Sequence, residues 1–305
     1  MTFVVAGEAL VDIVVPQGGG AEHAPGGSPL NVAVGLSRLG VETLLITRLG
    51  DDEHGRLVRS HVEASGVTLS DASVDPEVRT STATAHLDER GAATYDFDLA
   101  WDLPTQPLPD AATALHVGSI GAALRPGRDA VVHLVEEAAA KQLLVSYDPN
   151  MRPVFTPDRA QAWADVREVA AASRLVKMSD EDLDFLLPGS TAEDAARLLL
   201  GGRTEVVVLT YGGSGAVAFS GRATVEVPSQ RSVVVDTVGA GDSFTAGLLD
   251  GLGRADLLGG SQRETLAAVD EVTLVGALDR AGRVAAINCS RPGTDPPTAA
   301  ELDGA

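Results

Sequence analysis

Apolar residues along this chain recur in two alternating rhythms. Short β-branched runs predict strands over 3–7, 11–15, 44–47, 114–117, 143–147, 175–178 and 206–210. Between them, apolar positions three and four apart predict helices over 32–39, 53–65, 128–141 and 160–172, with another helix starting at 179–182. Gly40 suits the C-terminal cap of the first of these helices. Strand and helix in turn is the pattern of a mostly parallel sheet with helices on its faces. Residues 78–101 break that rhythm, because the runs 80–87 and 92–99 flank the turn Asp88–Gly91 with no helix between them. They predict an antiparallel hairpin in a small sheet standing off the main one, with an edge of the main sheet as the alternative. A second hairpin is expected over 216–220 and 223–227, helices near 263–278 and 280–289, and loops over 17–25 and beyond Arg291.

The stretch Val233–Gly247 concentrates the most chemistry. Its apolar run predicts a buried strand ending at Asp236, then a glycine turn, then a helix through Ala246, Leu248 and Leu249. Gly239 and Gly241 let the backbone turn tightly and approach a ligand. Free N–H groups at a helix N-terminus stabilise negative charge. Asp242 sits inside that same turn. One reading is an acid favourably placed in a first helical turn. The other is a carboxylate that takes a proton from a hydroxyl while the amides hold the phosphoryl group it attacks.

Composition narrows the field. The 305 residues allow one large α/β domain or two smaller ones. A formal charge of -20 argues against a nucleic-acid partner. Lys141 and Lys177 are the only two lysines, a bias that fits a GC-rich genome. The single Cys289 excludes an intrachain disulfide and a cysteine-clustered zinc site. The N-terminus enters a strand without a basic region, so no signal peptide is expected, and no run approaches membrane-spanning length. A soluble, cytoplasmic protein is the expectation.

Several catalytic motifs fail on their own terms. Neither lysine follows a glycine, so a P-loop has no candidate. Phe244 stands where a dinucleotide fingerprint needs its third glycine. A serine-hydrolase elbow at Gly241–Thr245 lacks its last glycine. The six histidines show no metal-ligand spacing. Phosphoryl transfer by helix-terminus amides, Asp242 and a magnesium-bound nucleotide remains.

The segment Asp236–Gly247 resembles the C-terminal signature of the ribokinase-like (PfkB) carbohydrate kinases, and Pro25–Gly40 resembles their N-terminal signature. The resemblance runs from about Phe3 to Pro297. It implies a single kinase domain: a three-layer α/β/α sandwich with a mostly parallel central sheet and a small β-sheet lid built from about 11–25 and 78–103. It also implies ATP, Mg²⁺ and a monovalent cation such as K⁺. By that resemblance Asp242 is the general base, and Gly239, Ala240 and Gly241 form the anion hole. Asp12, Gly27 and Asn31 match sugar-binding positions. Thr210, Gly212 and Gly215 match the ATP loop. Lys177, Ser179 and Asp182 stand where the family has an Asn-x-x-Glu motif tied to magnesium and phosphate, with Ser and Asp replacing Asn and Glu. Asp236 and Thr237 match the start of the monovalent-cation loop. Gly282 stands where relatives often carry Asn near the adenine, so no adenine contact is assigned there.

Gly7–Asp12, Tyr95–Pro104 and Asp148–Pro153 resemble the fructokinase branch, and fructose is the expected acceptor. Arg152 is a candidate substrate or phosphate contact, or else a salt-bridge partner of Asp148. Phe97 either walls the sugar site or packs the lid. The alternatives within the class are 2-keto-3-deoxygluconate, ribose and nucleosides such as adenosine or aminoimidazole riboside. The alternative of another class is a sugar- or nucleotide-binding regulator without turnover. Relatives often dimerise through the lid, so the resemblance allows a homodimer, while the sequence itself fixes no oligomeric state.

Overall fold

The computed structural model describes residues 2–88, 93–258 and 266–304. In chain order its strands are β1 (Thr2–Ala6), β2 (Leu10–Val15), β3 (Glu22–Gly26), β4 (Thr43–Ile46), β5 (Leu49–Gly50), β6 (Thr68–Leu69), β7 (Val74–Asp75) and β8 (Thr82–Leu87). They continue with β9 (Ala93–Asp98), β10 (Ala112–Gly118), β11 (Leu144–Asp148), β12 (Leu175–Ser179), β13 (Val206–Thr210), β14 (Ala216–Ser220) and β15 (Thr224–Val227). The helices are α1 (Ser28–Arg38), α2 (Glu53–Ala64), α3 (Ser119–Ala123), α4 (Gly127–Ala140), α5 (Arg159–Ala172), α6 (Asp180–Leu186), α7 (Ala192–Leu199), α8 (Ala240–Arg254), α9 (Glu271–Cys289) and α10 (Ala299–Asp303).

Among the described residues, nine strands form the main sheet in the order β15-β14-β13-β12-β11-β10-β1-β4-β6. All pair in parallel except the β13–β14–β15 edge. The period of two along each strand divides the core. Phe3, Val5, Val206 and Val208 face one way, into a core with Leu30 and Leu36 of α1, Leu248 and Leu252 of α8 and Leu278 of α9. Val4, Ala6, Val207 and Leu209 face the other, against Val131 and Leu134 of α4, Val166 of α5, Leu186 of α6 and Leu199 of α7. The chain winds away in both directions from β1 and β10, so the crevice at their C-terminal ends is the topological switch point, where ligands of open α/β sheets bind.

The segment expected as a hairpin does stand off this sheet. β8 and β9 pair antiparallel within a separate four-stranded sheet, β3-β2-β8-β9, in which β2 and β8 run parallel. Residues 89–91 of the expected turn and residue 92 of the expected second strand lie outside the described residues.

Four expectations fail. Residues 22–25, expected as loop, form β3 together with Gly26, because β2 offers them an edge with full register from Leu10↔Gly26 to Val14↔Glu22. Val233–Val235, taken as a buried strand, are irregular and 82%, 62% and 58% exposed. The β14–β15 hairpin already occupies the sheet edge, and only the Val235 and Asp236 N–H groups find a partner nearby, the Cys289 carbonyl. The expected break near 279 is absent: α9 runs unbroken from Glu271, capped by Asp270, because Ala277 and Ala281 pack directly on Gly251 and Gly247 of α8. Residues 259–265 lie outside the described residues. The tail carries a short helix, α10, started by a Thr298–Glu301 capping box.

Candidate active site

Helix α8 begins at Gly239, whose φ of +70° is left-handed. An added Cβ there would lie 2.6 Å from the Thr294 side chain, so both conformation and space require glycine. The loop before it is laced to the tail. The Asp236 carboxylate accepts from Val238 N and Gly293 N, and those bonds hold its pKa below the usual range. Buried Asn288 donates to Val238 O at 2.8 Å and accepts from Asp295 N at 2.9 Å. In the first turn, Ala240 N bonds back to Thr237 O. The Gly241 and Asp242 N–H groups have no carbonyl or side-chain cap among the described residues. Two donors therefore point out of the helix end.

The Asp242 carboxylate is buried beside them. Ser28 Oγ donates to Oδ1 at 2.7 Å and Asn31 Nδ2 donates to Oδ2 at 2.8 Å. Ser28 and Asn31 lie three apart on the first turn of α1 and so share a face. Each carboxylate oxygen keeps a second lone pair. Gly27 enters α1 at φ +108°, where a Cβ would come within 2.6 Å of the Glu8 carbonyl. Ser28 carried no expected role: in Gly-Gly-Ser-Pro a serine reads as a turn residue, and nothing local announces a partner 214 positions away.

Under the α8 turn lies a buried ion pair, Lys177 Nζ to Asp148 Oδ2 at 2.9 Å. Burial raises the Asp148 carboxyl to about 6, against the pull of Lys177. Burial also opposes the Lys177 ammonium, but Asp148, Asp182 and Asp242 together outweigh it and its pKa is raised. Lys177 Nζ would lie 3.3 Å from a Cβ at position 241, so Gly241 leaves room for the ammonium under the turn. Thr245 Oγ1 donates to Gly241 O at 3.0 Å and stands 3.4 Å from Asp148 Oδ2.

Ser179 and Thr210 are register partners at the C-terminal edge of β12 and β13. Ser179 caps α6 through a reciprocal box with Asp182, and Asp182 Oδ1 also accepts from Met151 N at 2.6 Å. The 211–215 turn closes through Tyr211 N to Gly215 O at 2.8 Å, with left-handed Gly212 and Gly215. Both Asp182 oxygens hold backbone N–H groups, and no cluster of three metal-ligating side chains occurs among the described residues. That donor set suits a Mg²⁺ ion brought in on nucleotide phosphates rather than an all-protein cage.

On the small sheet, Asp12 is open to water yet hemmed in by protein, and that crowding raises its carboxyl to about 6, offset by Arg152. A Cβ at Gly26 would overlap the Asp12 carboxylate. Arg152 does not bridge to Asp148. Lys177 takes that carboxylate, and Arg152 Nη1 instead donates to Asn150 Oδ1 at 2.7 Å. Phe97 packs edge-on against Phe155, centroids 4.8 Å apart, and so joins β9 to the loop after β11. Asp242, Asn31, Gly241 and Lys177 are thus in one contact network, and Arg152 is close enough to Asp12 to favour its charge. A concavity of about 620 Å³ between α5 and α7, lined by Arg167, Glu168 and Leu198, holds none of these residues.

A family model described as pfkB family carbohydrate kinase matches residues 3–301. The chain belongs to that family. It is a carbohydrate kinase. A fructokinase of Rhizobium leguminosarum bv. trifolii is 38% identical over 285 residues, 89% of this chain and 85% of the relative. Among solved structures, a fructokinase from Xylella fastidiosa with bound ATP superposes with a TM-score of 0.86 at 24% identity, over 99% of this chain and 97% of that one. A fructokinase double mutant from Vibrio cholerae O395, with fructose, ADP and potassium ion bound, superposes with a TM-score of 0.84 at 26% identity, over 99% and 97%.

Proposed function

We propose that the protein is an ATP-dependent fructokinase. One observation carries the reading: the Asp242 carboxylate, oriented by Ser28 and Asn31, sits at the start of α8 beside two uncapped N–H groups, its own and that of Gly241. Asp242 accepts the proton of the sugar's primary hydroxyl as that oxygen attacks the γ-phosphorus. The Gly239–Ala240–Gly241 turn presents the free Gly241 and Asp242 N–H groups to the transferred phosphoryl oxygens, while the Ala240 N–H is held by Thr237 O. Asp12, Gly27, Asn31 and Arg152 face the sugar. Lys177, Ser179, Thr210, Gly212 and Gly215 receive the nucleotide. Mg²⁺, when bound to the nucleotide phosphates near Asp182, neutralises their developing charge. The loop at Asp236 and Thr237 would hold a monovalent cation, and the potassium-bound fructokinase supports that assignment. The small sheet acts as a lid that excludes water. Val14 and Tyr95, exposed on it, suit an interface between two copies.

The test is ADP release with Mg²⁺, K⁺ and a panel of acceptors. Fructose should give the highest kcat/KM. A faster reaction with ribose, 2-keto-3-deoxygluconate or aminoimidazole riboside would move the acceptor. Saturable sugar binding without any ADP release would replace the enzyme with a regulator.

A further inference from the structure

Glu8 has no part in the scheme above, yet it occupies the switch point between the two strand windings, in the segment joining β1 to β2. It is a buried acid. Its Oε2 accepts from Gly121 N at 2.7 Å, and the Ser119 side chain bonds the same carboxyl. Gly121 also carries Trp101: its carbonyl accepts from the indole Nε1 at 3.1 Å. A Cβ at Gly121 would lie 2.7 Å from Gly7 Cα, and one at Gly127 would overlap the Trp101 ring, so both glycines are dictated by close approach. Ser119, at φ +53°, takes a backbone strain that aims α3 at this point.

The small sheet is tethered to the main sheet through a few segments. Residues 7–9 lead into β2, residues 26–28 lead out of β3, and residues 99–101 lead out of β9. All three converge on Glu8 and Gly121. The Glu8 carbonyl packs on Gly27, the Glu8 carboxylate holds Gly121 N–H, and Trp101 holds Gly121 C=O. β2 then carries Asp12 four residues beyond Glu8, while Gly27 opens α1, which carries Ser28 and Asn31 to Asp242.

We propose that Glu8 is a positioning residue for the kinase reaction: by clamping Gly121 together with Trp101, it fixes the hinge of the small sheet and so sets where Asp12 stands relative to Asp242. The proposal rests on the reading of Asp12 as a sugar contact. Glu8 touches neither substrate nor nucleotide in this role. Its effect should fall on the sugar and spare ATP, because Lys177, Ser179 and Thr210 lie on strands the hinge does not carry.

Four variants test it. Glu8→Ala should raise the KM for fructose about tenfold or more, as expected for misplaced binding groups, with the KM for ATP unchanged. Amide hydrogen exchange should quicken in β2 and β8 but not in α8. Glu8→Gln keeps an acceptor for Gly121 N–H and should restore both readouts. Trp101→Phe removes the second clamp and should reproduce the Glu8→Ala pattern. Equal rises in both KM values, unchanged exchange in the small sheet, or a Gln variant as impaired as the Ala variant would each overturn the proposal. Asp12→Asn separates the two readings. If it leaves the fructose KM unchanged while Glu8→Ala still raises it and loosens β2, the sugar role of Asp12 falls and the hinge stands. If Asp12→Asn raises the KM and Glu8→Ala does not, the hinge falls alone.

Discussion

The Asp242 carboxylate, proposed above as the general base, has its geometry supplied by another helix. Ser28 and Asn31 each occupy one lone pair of its two oxygens, which fixes the carboxylate plane and leaves the remaining lone pairs to accept a proton. Asp242→Asn keeps the size and both contacts after an amide flip but cannot take the proton. Turnover should fall by about two to four orders of magnitude, the usual worth of a positioned base. ATP affinity, read by calorimetry, should stay near that of the parent; a near-normal rate would remove Asp242 from its role. Gly239, Gly241 and Asp242 were legible in the sequence because all their chemistry lies within four consecutive positions. Ser28, Asn288 and the Asp148–Lys177 pair were not read as a constellation, because their partners come from segments that only the sheet order brings together. Of the two readings of Arg152, the salt bridge to Asp148 fails for the same reason, because Lys177 takes that carboxylate.

At the scale of elements, period and length sufficed wherever a segment's own face decided its state. β1, β4 and β10–β13, and helices α1, α2, α4 and α5, all fall where the alternation put them. The failures are segments decided by neighbours: β3 by the free edge of β2, 233–235 by the loss of any free edge, α9 by its contact with α8. That last contact gives a prediction in which magnitude sets the sign. Intrinsic propensity favours alanine over glycine inside a helix by about 1 kcal/mol. At Gly276 of α9 a Cβ would meet nothing within 4 Å, so Gly276→Ala should stabilise by roughly 0.5–1 kcal/mol. At Gly247 of α8 a Cβ would lie 2.8 Å from the Ala281 Cα, a backbone atom that moves only if the helix moves. Overpacking of that kind costs about 1–3 kcal/mol and should outweigh the propensity gain, so Gly247→Ala should destabilise. Urea midpoints of the two variants should shift in opposite directions. A stabilised Gly247→Ala would mean that the α8–α9 spacing is softer than the contacts imply.

Across the whole molecule, three acids near the switch point, Glu8, Asp12 and Asp148, sit in conditions that oppose their charge. Burial pushes the Glu8 carboxyl from its ordinary value of 4.5 up to about 7, partly offset by its bonds to Gly121 and Ser119 and by Arg152. Because folding raises this pKa, its contribution to stability is fully present below about pH 4.5, declines as pH rises, and is lost above about pH 7. The shift corresponds to roughly 3 kcal/mol between those limits. Asp12 and Asp148, both raised to about 6, titrate through the same window, and the net charge of -20 adds self-repulsion as pH rises. Those effects are common to the parent and to Glu8→Gln, so they largely cancel when the two are compared. The glutamine keeps the Gly121 bond without a charge to desolvate. Near pH 5 the two proteins should unfold at similar urea concentrations. By pH 8 the Gln variant should be the more stable by a few kcal/mol, about 3 at most. Parallel pH profiles would mean that Glu8 ionises as an ordinary carboxylate, and so that water reaches the hinge. A diverging pair would show that the chain gives up stability at neutral pH to keep an acid between its two sheets.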